Sequence, residues 1–341
     1  MKRLLPFIIA CILPAIAFSQ KISWVHIHTN TTASFRALSV VDDSIAWVSG
    51  TEGTIGKTTD GGKTWRFIQL PGCEKMDFRT IYAFDSVNVI IANAGSPTII
   101  WRMKDGHNWN AVYHNNDSTC FIDGIDMWND KDGIVYGDPK QGHLLILHTT
   151  DGGLSWQQHA AENEPTIDSG EASFAASGTG IRCLPNNKLM IATGGAESRL
   201  YMSENNGNNW HFIRSPILKG KSSEGIFSFA CQHDTCLVVG GDYKNENESK
   251  WNAYIFYNPG YYTWRAPLNS TRGYRECVEF IATNTAIAVG PAGADITYNT
   301  GNNWKPLWDD KGYHVIRKSR KGDLIIAAGR NGQIRIVQFK K

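Results

Sequence analysis

Four copies of one short pattern recur along the chain, each with a Gly followed three residues later by a Trp. They are Thr58-Thr-Asp60-Gly-Gly62-Lys-Thr-Trp65, Thr149-Thr-Asp151-Gly-Gly153-Leu-Ser-Trp156, Ser203-Glu-Asn205-Asn-Gly207-Asn-Asn-Trp210 and Thr297-Tyr-Asn299-Thr-Gly301-Asn-Asn-Trp304. Two degenerate copies, Arg102 to Trp109 and Phe256 to Trp264, fill the gaps, so six Trp stand 40 to 54 residues apart. A period of that size specifies a propeller or a repeat array. The local chemistry is that of a β-hairpin turn. Asp or Asn bonds to its own turn backbone, Gly supplies a positive φ, and Ser or Thr adds a second local hydrogen bond. The Trp then falls on the next strand and can bury roughly 150–250 Å² between repeats. At about 25 cal/mol per Å² this is an upper estimate of roughly 4–6 kcal/mol per repeat. Packing alone therefore accounts for the repeated Trp, and no ligand is needed.

A second feature counts the repeats. Apolar strands ending in Gly occur at Ala46–Gly50, Ile90–Gly95, Gly133–Gly137, Met190–Gly194, Leu237–Gly240, Ala286–Gly290 and Leu324–Gly329, seven in all. The seventh unit ends in Gln333–Phe339 without a Trp of its own, while Ile22-Ser-Trp24-Val-His-Ile is an unassigned strand at the start. The N-terminal strand is expected to complete the last blade, closing the ring and removing its edges. The expected fold is all-β: a seven-bladed β-propeller with hairpin turns of the repeated type, spanning 20–341.

Residues 1–19 read differently. Lys2 and Arg3 precede an apolar run from Leu4 to Phe18, and Ala17-Phe-Ser19 offers the small residues of a cleavage site, the pattern of a signal peptide. The run is too short for a membrane span. A lipoprotein reading at Cys11 would leave only ten residues ahead of the Cys. The mature chain is expected in the periplasm or outside the cell. Cysteine usage agrees, because removing Cys11 from seven leaves an even count suited to an oxidising compartment. Cys231 and Cys236 flank a His-Asp turn and are expected to pair across a hairpin. A Cys73–Cys120 bridge is a second expectation, with Cys183 and Cys277 as buried free thiols. Lys plus Arg of 34 against Asp plus Glu of 32 is near balance, with no basic stripe, which argues against nucleic acid. Neither a CxxC nor an HExxH spacing occurs, so no metal is expected. No Gly-rich dinucleotide motif links a strand to a helix, so no cofactor is expected either.

The strings Phe35-Arg-Ala-Leu, Ala46-Trp-Val-Ser-Gly50 and Thr58–Trp65 resemble the Asp-box (BNR) repeat proteins. The likeness is closest to the photosystem II assembly and stability factor-like propellers, and it spans the mature chain. Gly137-Asp-Pro139, Glu171-Ala-Ser-Phe-Ala-Ala-Ser-Gly178, Thr193-Gly-Gly195, Gly240-Gly-Asp-Tyr243, Gly273-Tyr-Arg275 and Gly290-Pro-Ala-Gly293 look like the longer signature of exported bacterial members. The resemblance implies a seven-bladed ring. Function follows less directly, because Asp boxes occur in sialidases, xyloglucanases, sorting receptors and assembly factors, and one fold hosts many activities.

Propeller topology indicates where a site would lie. The start of each innermost strand and the loop after the second strand share one face, and the Asp-box turns lie on the other. If the aromatic leading each inner strand packs between blades, alternation sends its neighbour toward the channel. Alignment by Phe35, Phe78, Phe121, Phe174, Phe227, Tyr274 and Tyr313 then brings Arg36, Arg79, Asp123, Arg275 and His314 to one mouth. The second-strand loops add Asp138, Asp242, Tyr243 and Arg330, and Glu171 and Glu224 lie just ahead of inner strands. Arg in that setting suits bidentate binding of a carboxylate or phosphate. The same charges could instead pair across blades and serve closure. The leading expectation is a monomeric, exported, non-catalytic propeller that recognises a protein segment or a glycan, anionic groups included, at its mouth. The alternative is a sialidase-like glycoside hydrolase, with Arg36, Arg79 and Arg275 around a substrate carboxylate and Asp138, Glu224 and Tyr243 as catalytic groups.

Overall fold

The computed structural model describes residues 21–160, 163–257 and 262–340. The signal-peptide reading of residues 1–19 lies outside them. Seven antiparallel sheets follow one another along the chain, with no α-helix among the described residues. Blade 1 comprises Phe35–Val40, Ala46–Gly50, Thr54–Thr58 and Arg66–Gln69. Blades 2 to 6 begin with innermost strands Phe78–Ala83, Ile122–Met127, Ile181–Leu184, Glu224–Gln232 and Cys277–Ala282. Blade 7 runs outward through Tyr313–Lys318, Ile325–Gly329 and Ile334–Lys340. Its fourth strand is the N-terminal Lys21–Ile27, which pairs along its whole length with Ile334–Lys340, Trp24 opposite Val337. The ring is closed as the unassigned strand required.

The core is divided among wedges between neighbouring sheets. Trp47, Phe78, Ile91 and Trp101 fill the space between blades 1 and 2, and Ile90, Ile122, Val135 and Trp156 that between blades 2 and 3. The repeated turns lock onto these wedges from outside. In blade 1 the Thr58 hydroxyl accepts the Gly62 N–H at 3.0 Å, and Asp60 accepts the Thr64 N–H at 2.9 Å and its hydroxyl at 2.6 Å. Thr149 and Asp151 repeat this arrangement with Gly153 and Ser155. Gly62 has φ +84°, and a Cβ there would stand 3.3 Å from Ile336 of blade 7. Gly is thus favoured by the positive φ of the turn, and the approach to the preceding blade is close.

Cys231 and Cys236 form the expected disulfide, directly opposite each other in blade 5. The Cys73–Cys120 bridge does not form. Cys73 packs between blades 1 and 2 and Cys120 between blades 2 and 3, so the blade 2 sheet stands between them. Cys277 and Cys183 are both free, Cys277 as a buried residue and Cys183 as a partly covered one whose thiol is still pushed up in pKa by burial.

Candidate functional site: a blind cup at the channel mouth

Five innermost strands carry the same one-residue bulge near their start, after Phe35, Phe78, Ile122, Ile226 and Tyr313. A bulge lifts one residue off the ladder and redirects its side chain. The residues so released are Arg36, Arg79, Asp123, Phe227 and His314, and all five line a cavity of about 670 Å³ at the mouth. In blade 6 the corresponding residue is Glu276, just before the strand starts at Cys277. Asp138, Tyr243, Glu246, Arg330 and the ring of Tyr274 complete the wall.

The cavity has a floor. Segment 173–180 leaves the perimeter and crosses the channel before blade 4 begins at Ile181, so Phe174 does not lead an inner strand as expected. Its small residues fit the narrow passage, and most of its polar groups find partners on surrounding blades, the buried Ser173 hydroxyl having none among the described residues. The Ser173 N–H donates to Asp138 at 3.3 Å, and the Ala176 carbonyl accepts from Arg36 at 3.4 Å. The Ser177 hydroxyl donates to the Glu276 carbonyl at 2.8 Å and Thr179 to the Ser228 hydroxyl at 2.7 Å. Beyond this plug lies a small space of about 20 Å³ among Ser177, Thr179, Arg182 and Arg320. The mouth is therefore a cup rather than a pore.

One side of the cup is aromatic. Phe174 stacks on Phe227 with centroids 4.0 Å apart, while Tyr274 and Tyr243 meet Phe227 edge-on. Tyr243 keeps 43% of its surface exposed. A charged group adjoins it, in contact through Tyr274. Glu276 accepts from His314 at 2.6 Å and from Arg36 at 3.4 Å. Burial works to raise the Glu276 pKa, but His314 and Arg36 outweigh it and hold the carboxyl below its ordinary range. Arg79 donates through Nε to Asp77 at 2.7 Å. Arg330 is exposed, with no ion pair among the described residues. Asp123 is only 1% exposed, and neither carboxyl oxygen has a hydrogen-bond partner among the described residues. Burial first, and the neighbouring Asp138 second, push its pKa well above normal against the pull of Arg79.

Of the residues expected at the mouth, the structure brings together Arg36, Arg79, Asp123, Asp138, Tyr243, His314 and Arg330. The others lie elsewhere. Arg275 is fully buried, donating through Nε to Asp295 at 3.0 Å and through Nη1 to the Tyr274 carbonyl at 2.9 Å. Glu171 is buried against Arg199 at 3.3 Å on a two-residue strand that docks on Gly194–Gly195. Asp242 sits beside Lys221 at 3.7 Å, and Glu224 is held by the same lysine at 2.7 Å. The displacement of Arg275 has a register cause. Gly50 and Gly329 abut the carbonyls of Ser34 and Gly312, two residues before Arg36 and His314. Gly290 abuts the Tyr274 carbonyl, which makes Glu276 the mouth residue of blade 6. Counting from the second-strand Gly would have found it; the leading aromatic put the register one residue out. The sialidase-like arrangement does not assemble, because Arg275 and Glu224 both lie outside the cup that holds Arg36, Arg79 and Tyr243.

Residues 16–118 match the family described as photosynthesis system II assembly factor YCF48. Over 58 residues the chain is 45% identical to the photosystem II assembly lipoprotein Ycf48 of a Picosynechococcus species, covering 16% of this chain and 17% of that protein. The structure of YCF48 bound to D1 peptide superposes with a TM-score of 0.65 at 16% identity, over 92% of this chain and 96% of that one. Virginiamycin B lyase from Staphylococcus aureus superposes with a TM-score of 0.68 at 12% identity, over 94% and 99%. At such identities a shared fold is established and a shared activity is not. The resemblance read from the repeated turns is nevertheless borne out: this is a seven-bladed propeller whose first third carries the sequence signature of the photosystem II assembly factor YCF48 family.

Proposed function

We propose that this protein is an exported, non-catalytic propeller that holds a protein segment in the cup, in the manner of an assembly factor. The observation that carries the reading is the blind, amphipathic shape of the mouth. A plugged cavity of about 670 Å³, lined by adjoining aromatic and charged side chains, suits a short stretch of peptide presenting an apolar side chain and a charged group. The likeness to YCF48 supports this choice, since that protein was solved with D1 peptide bound. Export is supported by the disulfide and by the lipoprotein nature of the Picosynechococcus relative. A monomer is favoured because Lys21–Ile27 closes the ring within one chain, with no strand required from a second copy.

The test uses peptide and glycan arrays probed with the wild type, Arg330→Ala and Tyr243→Ala. Both residues reach into the cup without supporting the ring. The wild type should enrich peptides sharing an apolar and a charged position, and each substitution should weaken them roughly tenfold or more. Enrichment of glycans instead, or peptide binding indifferent to both substitutions, would overturn the proposal.

A further inference from the structure

The charged side of the cup is not uniformly basic. Blade 3 contributes two carboxyls to it, Asp123 from the bulge of its innermost strand and Asp138 from the register shift within its second strand, Gly133–Lys140. Among the described residues, only one of the four carboxyl oxygens has a hydrogen-bond partner, Asp138 Oδ1 accepting the Ser173 N–H. The facing groups are few. Arg79 of blade 2 is committed through Nε to Asp77, and the buried Tyr136 hydroxyl of blade 3 also lacks a partner. One guanidinium shared with Asp77 cannot neutralise both aspartates, and a buried carboxylate without donors is costly. Burial and, at Asp123, repulsion from Asp138 hold both carboxyls above their ordinary pKa, which favours their protonated forms.

We propose that Asp123 and Asp138 form a cation subsite that receives an ammonium or guanidinium group of the bound segment, set against the aromatic wall of Phe174 and Phe227. The inference rests on reading the cup as a binding site and deepens it by naming the charge of one guest group. An incoming cation would replace the proton, supplying the donors that the two carboxyls lack. Binding would therefore release protons, and affinity for a cation would rise with pH until both carboxyls are ionised.

The probes are 2-phenylethylammonium and its neutral counterpart 2-phenylethanol, titrated into the purified protein by calorimetry and NMR. An array of N-acetylated octapeptides, with lysine or norleucine fixed at each position in turn, runs in parallel. The ammonium should bind about tenfold tighter than the alcohol or better. It should release protons and lose most of its advantage in Asp123→Asn. Asp138→Asn is the second variant, in case the first does not fold. Equal binding of the two probes, or an ammonium preference that survives both substitutions, overturns the subsite. The two readings fail separately. Peptides bound without regard to lysine keep the cup and remove the subsite, whereas ammonium selectivity with an empty peptide array keeps the subsite and removes the protein-segment reading.

Discussion

Arg36 and Arg275 have the same side chain and opposite fates, and the difference is one position of register. Arg36 follows the leading aromatic onto the bulge and reaches the cup, while Arg275 turns into the wedge and meets Asp295 in full burial. Removing one partner of a buried pair leaves an uncompensated charge, so Arg275→Ala should cost about 3–5 kcal/mol in denaturant unfolding. Peptide binding by the folded fraction should stay unchanged, and weakened binding at unchanged stability would return Arg275 to the mouth. Asp123 makes the opposite case. Its folded pKa lies above its unfolded value, so the folded state holds the proton more tightly, and stability falls as pH rises beyond the ordinary carboxylate range. Asp123→Asn is neutral throughout. Its melting temperature should exceed that of the wild type at pH 8 and nearly match it at pH 4, as followed by calorimetry. Burial also pushes Glu171 and Glu279 up to about 7, adding to the same downward slope between about pH 4.5 and 7.

Among the elements, the repeated turns were legible in the sequence because everything they need is local. Asp60, Gly62 and Thr64 are bonded within seven residues of chain, and the pattern survives with Asn205 and Asn299 in place of Asp. Asp60→Ala should cost on the order of 1–2 kcal/mol through these lost bonds. Ligand affinity should not move, because the turn lies on the face opposite the cup; a folded variant that no longer binds would place the site there. The inner strands were harder to read. A bulge shifts alternation by one residue, and the aromatic at each strand start does not hold a fixed place relative to it: Phe35 precedes the bulged residue, whereas Phe227 occupies it. The plug was hidden for a different reason, since segment 173–180 has no periodicity and its partners are remote in sequence. Its one trace is spacing. Trp156 to Trp210 and Trp210 to Trp264 are the longest intervals, and their extra residues include the plug and the Tyr243–Glu246 loop, both parts of the cup. Gly178, at φ +66° and with a Cβ position 3.3 Å from the Arg79 carbonyl, fixes how the plug crosses blade 2. Gly178→Val should strain that crossing by roughly 1–3 kcal/mol and weaken cup ligands together with stability. A variant with wild-type affinity would remove the plug from the site.

At the scale of the whole ring, seven blades are held by contacts between neighbours, and the chain itself links each pair except blade 7 and blade 1. The N-terminal strand bridges that gap. Beyond its ladder with Ile334–Lys340, it brings Trp24 edge-on to Trp308 at 5.4 Å and over the guanidinium of Arg335 at the same distance. Arg335 is completely buried, capped by Trp308 and Tyr313 as well, and paired with Asp310 at 2.7 Å. Deleting Ile22 to His28 would therefore uncover a buried cation and the edge of the seven-residue strand Ile334–Lys340 at once, a larger loss than any single turn provides. The truncated protein should aggregate or melt far below the intact chain. Trp24→Ala, which keeps the ladder and removes only the ring over Arg335, should fall between the two. Because the cup draws residues from blades 1, 2, 3, 5, 6 and 7, opening the ring should also abolish binding of any cup ligand. A truncated protein that melted with the full chain, or still bound, would mean that the ring closes without its first strand.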